Sequence, residues 1–449
     1  MRIARPLTSA VAVAVALAVP AAALGADYPE PTNPGGVKNP PKGGTLRVCK
    51  PKTKTPKGCF KTIQKAVDSA GKGTKILVPN GTYKEGVIIV SPVKAGIKLI
   101  GNAKDPSKVI LEGKGLKGSP SQNGVQINNA DGVTVQGFKA QHYKANGFFV
   151  VNVDGYTFKN LIANLVGVYG LYAFNSTGGS MTDSEAYYNN DAGFYVGQTP
   201  KQTKPKRTIL RNDLSWGNVL GYSGTNSRYV TITKSKFFNN GVGLAPNVLE
   251  SEKFMPHEDN AIVDNDIFWN NYNYYAGSPF TRRETAVGGV PYPLGVGLFV
   301  FGGRRTKVEG NRIWGNYLTG VAEVSQFLLK EENLPLGLLE GNEVRNNVFG
   351  LAGGADLNGR DMFYDGSGSK NCFAGNSVQS PNVPADNSTF AACPKADANA
   401  YNEAARNEGL QWALDGTHEA YWVKHAHTPI SGIQPLEHWT ADYPRPVVK

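Results

Sequence analysis

Four glycines, Gly124, Gly147, Gly170 and Gly193, stand 23 residues apart. A strict period of this length restricts the chain to stacked structural repeats. Each glycine opens a five-residue segment: VQINN at 125–129, FFVVN at 148–152, LYAFN at 171–175 and FYVGQ at 194–198. Down the columns, Val125, Phe148, Leu171 and Phe194 form one apolar file, and Ile127, Val150, Ala173 and Val196 form a second. They alternate with an outward set, as the period of two in a strand requires. The fifth position reads Asn129, Asn152, Asn175, Gln198, a file of amides able to bond from coil to coil. A coil of about 23 residues is too short for a strand plus a crossover helix. The expected fold is therefore an all-β solenoid with several short strands per turn, a parallel β-helix.

The second half of each coil repeats as VTVQGF, YTFKNL, TILRND, VTITKS, AIVDND, TKVEGN and GLLEGN. Asparagine turns follow in YYNNDAG, SWGNVLG, FFNNGVG and RNNVFG; asparagine tolerates the left-handed conformation, so one turn type can recur along an edge. Glycines at 124, 147, 170, 193, 221, 243, 297 and 320, with coils before and after, give roughly ten coils. At about 4.8 Å per strand the rod is roughly 48 Å long.

Residues 1–25 have Arg2 and Arg5, an apolar run and then small residues, the pattern of a secretory signal peptide with cleavage between Ala23 and Ala26. No other run is apolar enough to span a bilayer, so the expected product is exported, soluble and monomeric. In an exported chain four cysteines favour disulfides, and Cys49 with Cys59 and Cys372 with Cys393 is the simplest of three connectivities; a four-thiolate zinc site is the alternative. Residues 26–45 read as a Pro/Gly/Lys-rich arm, 46–380 as the β-helix and 381–449 as a cap and tail. Ile63, Ala66, Val67 and Ala70 share one helical face, the mark of a capping helix over the first coil. Residues 396–415 read as helical, and the tail after them carries Trp422, Trp439, His418, His425, His427 and His438. His425 and His427 could bind a metal or simply belong to a folded-over cap.

The net charge of +11 sits at one end. Residues 38–75 hold eleven Lys or Arg against Asp68 alone, 76–120 add a net +4, and 121–449 carry −3. The basic segment suits an acidic polysaccharide or cell-wall glycan, or is a solvated face. Nucleic acid is excluded as the expected partner, because stacking residues do not interleave with these cations.

Insertions break the period at 198–206, 247–258 and 325–336, each after a glycine-led strand, and at 272–294 before one. Loops therefore rise on both sides of one sheet and make its outward face a groove floor. That face is Gln126, Phe149, Tyr172 and Tyr195, continued by Ser223, Ala245 and Phe299. Three aromatics at about 4.8 Å spacing suit stacking on the sugars of an extended glycan, unless the loops cover them. The groove walls carry His257, Glu258 and Asp259; Tyr272, Tyr274, Tyr275, Arg282, Arg283 and Glu284; and Arg304 and Arg305. These supply a base, phenols, and guanidiniums able to clamp a carboxylate, the set needed to remove a proton beside a uronate carboxylate. Expelling the leaving sugar gives a lyase; reprotonation on the opposite face gives an epimerase. Hydrolysis needs two facing carboxylates, for which Asp264, Asp266 and Glu284 are the candidates, although Asp264 and Asp266 read better as turn residues. Glu258, Asp259 and a carbonyl make Ca2+ the one metal these loops could hold, without a specific ligand spacing.

With the repeats, the capping helix and FKTIQKAV…ILVPNGTYKEGV, residues 59 to about 380 resemble the pectin-lyase-like superfamily of secreted right-handed parallel β-helix proteins, nearest to its uncharacterised bacterial repeat members. The resemblance implies a right-handed helix and leaves activity open among lyases, hydrolases, epimerases and non-catalytic members. A triple-aspartate hydrolase pattern and the aspartate-histidine segment of the main pectate lyases are missing. FMPHE at 254–258 looks like the F-D-P-H-E segment of mannuronan C5-epimerases, which implies an active-site role for His257, with Met255 in place of the acid. Copper-associated β-helix proteins are a further relative, but the four methionines and scattered histidines make no copper site. Two readings follow: a glycan-binding β-helix with lyase or epimerase chemistry near His257, or a non-catalytic surface or wall-associated rod.

Overall fold

The computed structural model describes residues 31, 41–51, 58–279, 292–414, 430 and 432–447. The glycine-led segments form one sheet of ten parallel strands, from Val87–Val90 and Asn123–Asn128 through Asn146–Val151, Leu171–Phe174, Ala192–Gly197, Leu220–Thr225, Val242–Asn247, Val296–Phe301 and Thr319–Val324 to Met362–Tyr364. Their register is the one the period implies: Leu171 lies between Phe148 and Phe194, and Tyr172 between Phe149 and Tyr195. The second halves of the coils build a 20-stranded parallel sheet that wraps the remaining two sides. Thr208–Arg211 pairs with Val230–Thr233 on one side, and Leu214–Trp216 with Lys236–Phe238 on the other. The chain is a right-handed parallel β-helix.

Both inward files are sealed. Val125, Phe148, Leu171 and Phe194 are 0% exposed, and Ile127, Val150, Ala173 and Val196 at most 1%. Each large side chain so buried contributes about 1.5–3 kcal/mol, which is why the glycine-led strands stack in one register only. One member breaks the pattern. Glu323, on Thr319–Val324, occupies the inward file between Val300 and Tyr364, is 0% exposed, and finds no partner for either carboxyl oxygen.

The corners correct one expectation. Asn129, Asn152, Asn175, Gln198 and Asn226 are turn residues with φ between 47° and 56°, and Asn175 Nδ2 donates to Asn152 Oδ1 at 2.6 Å. The long amide ladders run elsewhere. In one, the backbone N–H and Nδ2 of Asn218 both donate to Asn240 Oδ1, and the pattern continues through Asn270, Asn316 and Asn358. The other links Asn265, Asn311, Asn347 and Asn376 at a different corner, so RNNVFG belongs there and not with the other asparagine turns. The ladders form where corner backbone groups are buried and need a partner, whereas the residues of the first file sit at turn apices.

Helix α1 (Ile63–Ser69) covers the first coil with Ile63, Ala66 and Val67 buried, and its Thr62 cap accepts the Lys65 amide at 3.1 Å. Helix α2 (Glu403–Leu414) packs against Met362–Tyr364, with Gly409 set on the Phe363 ring. Disulfides Cys49–Cys59 and Cys372–Cys393 tie the two ends of the rod. Among the described residues no helix is long and apolar enough to cross a membrane. Residues 1–25, where a signal peptide is expected, and Arg282, Arg283, Glu284, His418, Trp422, His425 and His427 lie outside the described residues.

Candidate functional site

The expected aromatic floor exists in register, but it is covered. Phe149 and Tyr172 stack at 4.6 Å, and Tyr172 meets Tyr195 edge-on at 4.9 Å. All three are buried, Phe149 at 1% and the two tyrosines at 2% exposure. The open platform therefore gives way to the alternative: Tyr169 packs against Tyr172 and Tyr195, and the loop after Val242–Asn247 closes over Tyr195. Asn226 Nδ2 donates to the carbonyls of Leu249 and Glu252, each at 2.7 Å, and Gln198 Oε1 accepts the Lys253 amide at 2.8 Å. The Tyr195 hydroxyl donates to Glu252, beside Gly197, where any Cβ would stand 2.3 Å from the tyrosine ring. Burial pushes the Glu252 carboxyl up to about 8. Glu250 then joins this loop to the next insertion, accepting from Lys330 N at 2.9 Å and Asn333 Nδ2 at 2.6 Å.

His257 lies on this loop and is sealed at 1% exposure. Its Nδ1 stands 3.0 Å from Ser227 Oγ and 2.9 Å from Asn260 Nδ2, and its Nε2 stands 3.1 Å from Thr306 Oγ1. Desolvation, helped by the Arg228 guanidinium, holds the imidazole down at about 3, so it is neutral. A general base needs a lone pair that reaches the substrate, and both ring nitrogens here are engaged by protein groups. His257 thus joins neighbouring coils at a corner through both ring nitrogens.

The residues around it do converge, in another role. Glu258 receives Arg228 Nε at 2.5 Å and Arg305 Nη2 at 2.7 Å, and Asp259 receives Arg305 Nε at 2.7 Å and Nη2 at 2.9 Å. Arg304 gives its backbone N–H to the His257 carbonyl at 2.9 Å and its Nη2 to the Pro335 carbonyl at 3.1 Å. Bridges place Arg228, Glu258 and Arg304 at one register position on successive coils, and Arg304 and Lys370 both approach Glu340, at 3.6 and 3.5 Å. Of the guanidiniums expected to clamp a substrate carboxylate, Arg304 and Arg305 are thus engaged by carboxylates of the chain itself, in a file of alternating charge along a corner. Arg228, 0% exposed, is the member that sequence reasoning missed; its signal was a spacing of one coil, 30 residues, from Glu258. Two carboxylates already neutralised by arginines do not suit Ca2+ either. Tyr275 meets Tyr274 ring to ring at 4.4 Å, tilted by 33°, in a separate aromatic cluster. Asp264 is a left-handed turn residue, and Asp266 is held by Lys236 and Arg312, so neither forms the facing carboxylate pair of a hydrolase.

An open concavity lies at a different corner. A pocket of about 420 Å³ is lined by Asn160, Asp183, Asn212 and Lys234, together with Lys104 and Arg445. The Arg445 guanidinium is held by Glu185, with Nε 3.1 Å from Oε1. Asp213 lies in the wall, 1% exposed, with Oδ1 accepting the Ser184 amide at 2.9 Å and Oδ2 without a partner; burial pushes this carboxyl well above the usual range. Asn160, Asp183, Asn212 and Lys234 recur at one-coil spacing, three of them inside the repeats YTFKNL, TILRND and VTITKS.

A family model described as right handed beta helix region matches residues 123–277. Among solved structures, the Azotobacter vinelandii mannuronan C-5 epimerase AlgE4 A-module is 16% identical with a TM-score of 0.46, over 71% of this chain and 92% of that one. Pectate lyase Pel9A is 17% identical with a TM-score of 0.43, over 76% and 78%. XylC in complex with xylose is 9% identical with a TM-score of 0.49, over 74% and 75%. No curated protein matches the chain. At these identities the likeness is one of fold.

Proposed function

We propose that this protein is a secreted, non-catalytic β-helix that binds an acidic glycan. The observation that carries the reading is the sealing of His257. The side chain that looked like the base of a lyase or epimerase is neutral, buried and bonded to Ser227, Asn260 and Thr306. Binding is supported by what stays open: rows of polar side chains at one-coil spacing on a rigid rod, and a strongly basic segment at residues 38–75. Secretion is supported by the signal-peptide pattern of residues 1–25 and by two disulfides.

The test incubates the protein with pectate, alginate and glycosaminoglycan panels. Retention by affinity electrophoresis is expected, with no rise in unsaturated-product absorbance. Release of unsaturated product, lost in His257→Gln but kept in Lys234→Ala, would sink the non-catalytic reading.

A further inference from the structure

We infer that the corner pocket between Lys104 and Lys234 binds a carboxylated sugar residue of an acidic glycan, a proposal that rests on the binding reading above. Its rim is built by the repeat. Asn160, Asp183, Asn212 and Lys234 take the same left-handed turn position on successive coils, with φ of 50°, 55°, 60° and 52°. Their side chains therefore emerge in a row at about 4.8 Å spacing. The row is rigid because the residues behind it are bonded coil to coil: Asp213 Oδ1 takes the Ser184 amide at 2.9 Å, and Ser235 Oγ takes the Asp213 amide at 3.1 Å.

The charges around the pocket do not cancel. Glu185 is held by Arg445, Asp183 lies 3.6 Å from Lys159 Nζ, Asp105 lies 3.8 Å from Lys108 Nζ, and Lys236 donates to Asp266 at 2.7 Å. Lys104 and Lys234 are exposed and have no ion pair among the described residues. Two ammonium groups are thus left over, and burial pushes the Asp213 carboxyl well above the usual carboxylate range, toward its uncharged form. The structure provides a carboxylate-sized demand for negative charge at a cleft whose volume falls within the about 300–1,000 Å³ of small-ligand sites.

The rest of the lining asks for hydroxyl donors. Asn212 Nδ2 is spent on Asp183 at 2.7 Å, and Asn160 Nδ2 on the Ala103 carbonyl. Their Oδ1 atoms accept no bond among the described residues, which leaves two acceptors on lining residues for sugar hydroxyls. An inorganic dianion would satisfy the lysines and leave these acceptors unused; a uronate satisfies both.

The experiment titrates the full chain with tetragalacturonate by calorimetry at low salt. The fully methyl-esterified tetramer and inorganic phosphate serve as alternative probes. Lys104→Ala and Lys234→Ala change exposed side chains, and an unchanged melting temperature verifies folding. Each is expected to weaken tetragalacturonate about five- to tenfold, and the double variant to abolish measurable binding, with no binding of the ester. Undiminished binding to the double variant would overturn the pocket and leave glycan binding elsewhere on the rod standing. Equal affinity for the ester or for phosphate would overturn the carboxylated-sugar assignment. Failure of every glycan in the panels to bind would overturn this proposal together with the reading it rests on.

Discussion

Asp213 accepts the backbone N–H of Ser184 through Oδ1 at 2.9 Å, in the position that asparagine fills on later coils of the same corner. There, Asn265 Nδ2 donates to the Ile232 carbonyl at 3.0 Å and Asn311 Nδ2 to the Ile262 carbonyl at 2.9 Å. By register, the equivalent carbonyl beside Asp213 belongs to Met181. A protonated Asp213 can donate to it as an amide does; an ionised one cannot. Asp213→Asn is therefore expected to match or exceed the parent in stability at pH 7, while Asp213→Ala loses about 1–3 kcal/mol, read by denaturant unfolding. A loss of that size in Asp213→Asn would contradict a neutral rung.

Glu323 predicts a pH dependence with a defined sign. Burial alone pushes its carboxyl up to about 8, against about 4.3 for an unfolded chain. Between these values the folded state holds a proton that the unfolded state has released, so stability falls as pH rises through the window. The span limits the loss to at most about 5 kcal/mol at 1.36 kcal/mol per unit. Glu323→Gln should make the fall in melting temperature between pH 5 and pH 8 shallower, leaving the share that Glu252 and Asp213 contribute. A parent protein that gains stability across this range, with Glu323→Gln unchanged, would contradict the assignment.

Glu258 is expected to be structural. Its removal in Glu258→Ala leaves the fully buried Arg228 guanidinium without its carboxylate, a change worth about 3–5 kcal/mol. Adding Arg228→Met should restore most of that loss. A double variant no more stable than Glu258→Ala would show that the pair is not the source.

Asn226 pins the loop over Tyr195 by accepting the Leu249 amide at 3.2 Å and donating to the Leu249 and Glu252 carbonyls. In Asn226→Ala, amide exchange across residues 249–254 should accelerate while that of Ala192–Gly197 stays slow. Uniform acceleration in both would mean that the loop is not a separate unit.

The scaffold was legible because one physical constraint repeats: every coil must bury the same two inward positions, so Phe148, Leu171 and Phe194 reveal the stack from sequence alone. The ladders were half legible. The asparagines could be seen, but which of them sit at a buried corner depends on the path of the chain between strands, and RNNVFG shares its spelling with turns on another edge. The candidate site was least legible. Glu258 and Arg305 meet, yet periodicity says nothing of what a loop covers, and His257, on the loop after Val242–Asn247, is buried. Arg228 was passed over because its one-coil spacing from Glu258 falls outside the glycine-led repeat, and Lys234 because a charged residue in a turn has no signature that separates it from a solvated one.

The account turns on His257, and its proton NMR titration tests that directly, with the resonance assigned by loss in His257→Gln. The account predicts an unchanged, neutral imidazole from pH 8 down to about 4, since burial and Arg228 hold it at about 3. A midpoint between pH 6 and 7, near the about 6.5 of a solvated histidine, would contradict it and return the ring to the candidates for a working base.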